Sequence, residues 1–521
     1  MIEEMASRRR KRLANGAHDG GRLGFEEQLW SAADRLRGHV EPAEYKHVVL
    51  GLIFLRFAIE SQQSKRARRT GGRAVKSIGT SGDLFSGNSS TSASSTNQWR
   101  KVVDQADVGG VHRVLRVAQK KAAQLNGDFA GLCSQDFTQI PGRRLLDLIS
   151  VIDSLPLDNS AAKASDVLGR VYEYFLAQFA SSEGRSGGEY YTPRSVVQLL
   201  VDIIQPFKGK VYDPCCGTAG MFVQSERFVV EHGGRKSDVR LYGQESSART
   251  LRLARMNLAL RGLAADLGEV HADTFTNDQH PNLKADYVLA NPPFNAKEWS
   301  ASDLVGDKRW VFGMPPANNA NFAWVQHIYS HLSDDGLAGF VLSNGSLSSN
   351  QGGELEIRQR MIEADAIECI ITLPSQLFYG TQIPACLWFV SRNKQRENGK
   401  HLKGRTLLID ARRMGHLVDR THTELSTEDR KRISSIYHSW RKCPERYEDQ
   451  PGFAHSATST EIAEHRFALV PGRYVGFQAS DQLKWKDALN DIELSVVSRR
   501  LEELELAAES SVAALRMLRR G

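Results

Sequence analysis

The sequence predicts an α/β fold: a doubly wound, mostly parallel sheet, with a helical N-terminal domain before it and a coiled-coil-like helix after it. Three observations predict this. Short β-rich runs alternate with helical ones beyond residue 209. The first of these runs, 210–213, passes through a glycine turn straight into a helical stretch at 221–232. Near the C-terminus, Leu494, Val497, Leu501, Leu504, Ala508, Ser511, Leu515 and Leu518 follow alternating spacings of three and four.

Residues 1–23 form a basic tail around Arg8 to Arg12, expected to be flexible. Such a tail is commonly a solvated extension, and it can also touch DNA phosphates. Residues 24–158 read as the helical domain. In it Tyr45, Val48, Val49, Leu52, Ile53, Leu55 and Phe57 make a broad apolar face after Pro42. Residues 62–98 are rich in Ser, Gly, Thr and Arg, which predicts a long loop or disordered insert. Helical periodicity returns at 99–126 and at 143–155. A further amphipathic helix is expected at 166–180, from Val167, Leu168, Val171, Tyr172, Phe175 and Leu176.

The sheet domain is expected over 159–475. Its candidate strands are 210–213, 241–244, 287–290, 338–342, 367–372, 387–390 and 406–409. Residues 476–521 then form a helical region suited either to packing on the chain itself or to subunit contact.

Bulk properties restrict the function classes. A length of 521 residues implies two or three domains, and 41% hydrophobic with 25% charged residues is the balance of a soluble globular protein. The net charge of +7 is compatible with a nucleic-acid partner without requiring one. Cysteines at 133, 215, 216, 369, 386 and 443 have neither zinc-ligand spacing nor a disulfide framework. No metal is expected, and a reducing cytoplasm is the natural compartment. No apolar run approaches the roughly 20 residues of a membrane span, and the N-terminus lacks the apolar core of a signal peptide.

Two constellations carry chemistry. The first is Asp213-Pro-Cys-Cys-Gly-Thr-Ala-Gly220. A strand, a glycine turn and a helix form the ligand corner of an open α/β sheet. Gly217 and Gly220, flanking Thr218 and Ala219, let the backbone approach a ligand closely. The spacing is neither that of a dinucleotide fingerprint nor that of a P-loop, so no pyrophosphate site is indicated. Glu245 closes the second candidate strand, where a carboxylate can accept from two ribose hydroxyls. Asp273 follows a further candidate strand and could accept from an adenine amino group. A carboxylate at a strand end also serves as a simple cap, so order and spacing carry the argument. Cys215 and Cys216 read as small space-fillers, not nucleophiles.

The second constellation is Asn291-Pro-Pro-Phe294, after the apolar run 285–290. Pro292 and Pro293 fix φ and remove two backbone donors, leaving carbonyl acceptors. Asn291 adds a side-chain carbonyl. Two acceptors aimed at one aromatic NH2 pull its protons out of the ring plane and make the nitrogen more nucleophilic. Phe294 can stack on the ring. By itself, Asn-Pro-Pro is equally a rigid turn after a strand.

Together these segments resemble the amino-methyltransferases, and closely the M (modification) subunit of type I restriction–modification systems. The resemblance spans about 24–61 and 160–410. It includes Glu189, Tyr190, Tyr191, Thr192, Pro193 and Arg194, which resemble the family's segment over the methionine end of the cofactor. Glu189 stands where the family more often has Gln. Segments 312–316, 321–327, 342–346 and 377–385 continue the likeness, and 41–46 with 51–56 resembles the family's helical N-terminal domain.

The resemblance implies a seven-stranded sheet with one antiparallel edge strand, S-adenosyl-L-methionine as cofactor, and N6 methylation of an adenine flipped out of double-stranded DNA. It also implies a separate specificity (S) subunit, a second M subunit, and a restriction (R) subunit that can join them. Alternatives keep the chemistry on ribosomal RNA guanine or protein glutamine, or reduce the chain to a non-catalytic DNA-clamping scaffold.

Overall fold

The computed structural model describes Trp30 and residues 42–69, 98–125, 132–133, 135–154, 161–183, 192–378, 383–394, 402–420, 422–442 and 446–476. The basic tail, Glu189, Tyr190, Tyr191 and the heptad-like series beyond residue 476 lie outside these residues.

The helical unit contains α1 (Pro42–Arg69), α2 (Gln98–Gln105), α3 (Val111–Leu125), α4 (Gly142–Asp153) and α5 (Ala161–Glu183). Helix α1 is apolar on nearly every side between Val48 and Leu55, all of which are buried. Such a helix belongs at the centre of a bundle. It packs against α2, α3, α4 and α5, with Trp99, Leu115, Leu145 and Tyr172 filling the same core. Two expectations change. Helix α1 continues to Arg69, into the stretch read as an insert, and α2 begins at Gln98. The periodic run 99–126 is two helices, because the Asp107 carboxylate accepts from Gly110 N (2.5 Å) and turns the chain there.

The sheet domain runs α6 (Arg194–Ile204), β1 (Gly209–Asp213), α7 (Gly220–Glu231), β2 (Val239–Gly243), α8 (Ala248–Arg261), β3 (Ala265–Asp266), β4 (Ala285–Ala290), α9 (Asn321–Ser330) and β5 (Leu332–Ser343). It continues with α10 (Glu354–Glu363), β6 (Ile367–Thr372), β7 (Ala385–Ser391), β8 (Arg405–Asp410), β9 (His416–Leu417), β10 (Thr423–Glu424), α11 (Thr427–Lys442), β11 (Ala454–Thr458) and α12 (Ser459–Glu464). Strands β9 and β10 form a small separate hairpin. The other nine form one sheet in the order β11-β8-β6-β7-β5-β4-β1-β2-β3.

The doubly wound, mostly parallel class is as expected, and each of the seven candidate strands is present. The strand count differs: nine rather than seven. The antiparallel strand β7 is interior, between β5 and β6, and a second antiparallel strand, β11, forms an edge beside β8. Period-two alternation explains how the sheet is buried on both faces. Val211, Leu289, Val341, Ile371 and Leu387 point to the core beneath α6, α7 and α11. Tyr212, Val288, Phe340, Ile370 and Trp388 point to the core beneath α9, α10 and α12.

Helix α8 joins the two units. Ser247 caps its start by accepting from Thr250 N (3.2 Å), and Gly262 ends it at φ 65°. Leu251, Ala254 and Leu258 face the sheet core, while Leu253, Met256 and Leu260 face the helical core. Arg261 bridges to Glu173 of α5 at 2.8 Å, and Tyr172 donates to Leu253 O at 3.1 Å.

Among the described residues no helix is long and apolar enough to cross a membrane.

Candidate active site

Strand order reverses at β1 and β4. From β1 the chain winds outward through β2 to β3, then returns to β4 on the other side. The carboxyl ends of β1 and β4 therefore open a crevice between divergent connections. Both sequence constellations lie there: Asp213 ends β1, and Asn291 directly follows β4.

The turn after Asp213 is built from its own backbone. Asp213 Oδ1 accepts from Cys215 N at 3.1 Å. Cys216 N donates to Gln244 O (3.0 Å) and Gln244 N to Asp213 O (3.2 Å), so the turn is laced to the end of β2. Gly217 has φ 52°, and Ala219, the residue before α7, has φ 67°. The left-handed region suits glycine but costs roughly 1 kcal/mol for alanine, so the loop holds some strain. A Cβ at Gly217 or Gly220 would meet nothing within 4 Å. The N-cap residue of α7, Ala219, gives no side-chain cap, and the first N–H groups of a helix have no partner within it.

Two acids sit beside this turn. Asp213 is buried, and burial pushes its carboxyl up to about 7; the Glu245 charge adds to the rise, while the Cys215 N–H opposes it. Glu245 spans two segments: Oε2 accepts from Gly217 N at 3.1 Å and Oε1 from Ser247 N at 2.8 Å. The thiols of Cys215 and Cys216 are both driven well above their usual range, first by burial and then by the Asp213 charge. Such thiols are poor nucleophiles, which supports the space-filling reading.

Asp273 is exposed. Its Oδ1 accepts from Phe275 N (3.0 Å), Thr276 N (2.9 Å) and Thr276 Oγ1 (3.0 Å), so that oxygen caps a turn. It follows a loop and not a strand, since β3 ends at Asp266. The loop is nonetheless tied to the crevice. Ala272 N donates to Glu245 O (3.0 Å), and Thr274 Oγ1 to Pro214 O (2.5 Å).

The turn after β4 is held from three directions. Asn291 Nδ2 donates to Thr192 Oγ1 at 2.9 Å. Asn291 Oδ1 is buried without a hydrogen-bond partner among the described residues. A buried amide carbonyl left unpaired costs about 1–3 kcal/mol, which fits an acceptor kept for a ligand. Pro292 is buried and Pro293 exposed. Phe294 is buried and meets Phe378 edge-on, with centroids 5.8 Å apart. The chain then turns at Asn295, φ 53°. Asn295 and Asn321 pair reciprocally: Asn295 N to Asn321 Oδ1 at 3.0 Å, Asn321 Nδ2 to Asn295 Oδ1 at 2.8 Å. Ser343 Oγ, at the end of β5, donates to Asn295 Oδ1 at 3.0 Å.

Thr192, Pro193 and Arg194 lead into α6. Pro193 is buried at the N-cap and Arg194 is exposed. Eight buried residues of α6 fix this helix to the sheet.

Sequence reasoning missed the supports. Gln244 is fully buried and joins the β2 end to Ala272 O and Asn277 O, each at 3.2 Å. Asn257 of α8 donates to Thr218 O at 2.8 Å. Asn295, Asn321 and Ser343 are far apart in sequence, and a polar residue in a loop or at a helix start has no local signature of such a role.

One further cluster brings Asp278, His327 and His331 together, with one potential ligand atom from each within 4.8 Å of the others. The donor chemistry disfavours a metal. Arg309 Nη1 lies 3.2 Å from His327 Nδ1. Guanidinium only donates, so Nδ1 accepts and the ring proton sits on Nε2, facing Tyr212 Oη at 3.2 Å. His327 then has no lone pair to give. Burial, followed by the His331 charge, holds its imidazole well below the usual range, in the neutral form. The cluster is a hydrogen-bonded support beneath the crevice.

Comparison with known proteins agrees with this geometry. Residues 163–482 match the family model described as N-6 DNA Methylase. Residues 25–152 match the HsdM N-terminal domain. The chain is 45% identical over 348 residues to the type I restriction enzyme HindI methylase subunit of Haemophilus influenzae, covering 66% of this chain and 77% of that one. It is 32% identical over 492 residues to the MjaIX methylase subunit of Methanocaldococcus jannaschii, covering 88% and 85%. In structure it resembles a type I restriction-modification methyltransferase subunit from Streptococcus thermophilus, with TM-score 0.71 and 26% identity over 87% of this chain and 99% of that one. With the Asp213 turn and the Asn291 turn at one switch point, the chain belongs to the N-6 DNA methylase family, among the methylase subunits of type I restriction enzymes.

Proposed function

We propose that this chain transfers a methyl group from S-adenosyl-L-methionine to the exocyclic N6 amine of adenine in double-stranded DNA. The observation that carries this reading is the unpaired, buried Oδ1 of Asn291 on the turn after β4, next to the strand that bears the Asp213 turn.

The cofactor supplies an activated methyl group on a positively charged sulfur. The residues present suit it. Gly217 and Gly220 leave open space along the backbone. Glu245 is a candidate acceptor for ribose hydroxyls, and its carboxylate makes the pocket favourable to positive charge. Asp273 remains a candidate for the adenine end, through the oxygen its turn does not use. Glu189, Tyr190, Tyr191, Thr192, Pro193 and Arg194 are proposed for the methionine end.

Asn291 Oδ1 and the Pro292 carbonyl accept from the target amine, which localises its lone pair towards the methyl donor. Orientation supplies most of the rate. No strong base is required, because the methylated nitrogen becomes acidic. In the present arrangement Phe294 is packed away, so its use as a stacking face would need it to turn from Phe378.

DNA, rather than ribosomal RNA guanine or protein glutamine, is favoured by the two family matches over 25–152 and 163–482. A separate specificity subunit, a second modification subunit and a restriction subunit are the proposed partners, in the cytoplasm, with residues 476–521 as the subunit-interaction region.

The test is labelled methyl transfer to duplex DNA by the chain assembled with its specificity subunit. Asn291→Ala should bind S-adenosyl-L-methionine normally and lose transfer. Transfer at the parent rate would overturn the mechanism.

A further inference from the structure

We propose that Thr192 is a positioning residue for the Asn291 amide, a role separate from cofactor contact. The inference rests on the methyl-transfer reading above.

An asparagine amide turns about a broad, soft torsion. It presents either two N–H donors or one carbonyl, depending on which way it faces. Only the carbonyl face is useful to a target NH2; the other face would oppose donors to donors. The backbone at Pro292 and Pro293 fixes where Asn291 sits but not how its amide is turned. In the structure Thr192 Oγ1 accepts from Asn291 Nδ2 at 2.9 Å, and Oδ1 is left as the unpaired buried acceptor. Among the described residues this is the hydrogen bond that anchors the amide.

The anchor is itself rigid. Thr192 precedes Pro193, which restricts it to extended backbone. Pro193 then opens α6, where Val196, Val197, Leu199, Leu200, Val201, Ile203 and Ile204 are buried against the sheet. Helix α6 touches β4 as well as β5, so the hydroxyl and the amide ride on neighbouring parts of one packed core. Thr192 and Asn291 are 99 residues apart in sequence. Their pairing joins the segment before β1 to the catalytic turn, and methyl transfer thus depends on both being in place.

The experiment compares Thr192→Val, Thr192→Ala and Thr192→Ser with the parent, each assembled with the specificity subunit on duplex DNA. Single-turnover and steady-state rates are measured at saturating cofactor, S-adenosyl-L-methionine affinity by calorimetry, and folding by thermal melting. Thr192→Val keeps the shape and removes the acceptor; at saturating cofactor it should lower kcat by about tenfold to a hundredfold, beyond any change in cofactor affinity. Thr192→Ser should recover most of the rate. If valine unfolds the chain, alanine gives the same comparison. A parent-like kcat in the folded Val or Ala variant overturns the proposal. So does a loss confined to cofactor affinity, because Thr192 would then act only on the cofactor. If Asn291→Ala is also fully active, the methyl-transfer mechanism itself fails; if it is inactive while Thr192→Val is not, only the positioning role does.

Discussion

Gly217 donates its N–H to Glu245 Oε2 across 3.1 Å, so the glycine turn after β1 and the end of β2 are held by one carboxylate. The same side chain reaches Ser247 N through its other oxygen at 2.8 Å. Glu245 therefore shapes the crevice before any ligand enters it. Glu245→Ala should weaken S-adenosyl-L-methionine binding at least tenfold and lower stability by about 1–2 kcal/mol. Calorimetry and urea unfolding check the two effects. Unchanged cofactor affinity would remove Glu245 from the site.

Asp213 gives a pH dependence. Its carboxyl is raised by burial to about 7 in the folded chain, against 3.8 as its ordinary value. The folded state holds a proton there that the unfolded state has released between those values. This contribution is complete below about pH 4 and is lost as the pH rises through 7. Asp213→Asn should flatten that part of the profile, since its oxygen can still accept from Cys215 N. Urea unfolding from pH 5 to pH 8, parent against variant, reads the difference, which at about 1.4 kcal/mol per unit amounts to a few kcal/mol at most. Parallel profiles would mean that Asp213 titrates normally.

The reciprocal pair of Asn295 and Asn321 fixes the exit of the catalytic turn. Asn321 is 1% exposed, so Asn321→Leu leaves Asn295 N–H and Oδ1 without that partner in the interior. The expected cost is about 2–3 kcal/mol of stability. A fall in kcat of about tenfold or more should accompany it, with cofactor affinity unchanged. A variant that is destabilised yet keeps the parent kcat would confine the pair to a structural role.

The Asp278 cluster should behave as a hydrogen-bonded support. Burial alone would raise the Asp278 carboxyl, but His331 Nε2 at 3.1 Å, positively charged when protonated, and the His280 N–H at 2.8 Å bring it down to about 2. Its stabilisation is present above the ordinary value of 3.8 and fades as the pH falls through 2. Asp278→Asn should cost about 2 kcal/mol at pH 7, a gap that narrows below pH 4. Chelator treatment should leave the melting temperature of the parent unchanged. A drop of several degrees, restored by zinc, would instead identify a metal site.

The residues differ in how well the sequence revealed them. Strands β4 to β8 contain apolar runs that stand out because the sheet is buried on both faces, whereas β1 and β2 are short β-rich stretches recognised by the turns that follow them. Strand β3 has two residues and β11 mixes Ala, His, Ser and Thr. Neither has enough periodic signal to be seen, and both lie at sheet edges, where pairing partners rather than side chains define the strand. The break at Asp107 within 99–126 was hidden because helical periodicity survives a short turn.

By itself the sequence determined the chemistry-bearing pieces: the Asp213 to Gly220 turn, the Asn291 to Phe294 turn, and the doubly wound class that brings such turns together. These are local, because strand, glycine turn and proline geometry are set within a few residues. Tertiary structure alone decided which support holds each piece. It gave Glu245 to the Gly217 N–H, Asn321 to Asn295, and Thr192 to the Asn291 amide. It also left Asn291 Oδ1 unpaired and turned Phe294 into the core. Hydrogen-bond partners 26 to 99 residues apart meet only after the sheet has packed on its helices, and no spacing rule along the chain encodes them.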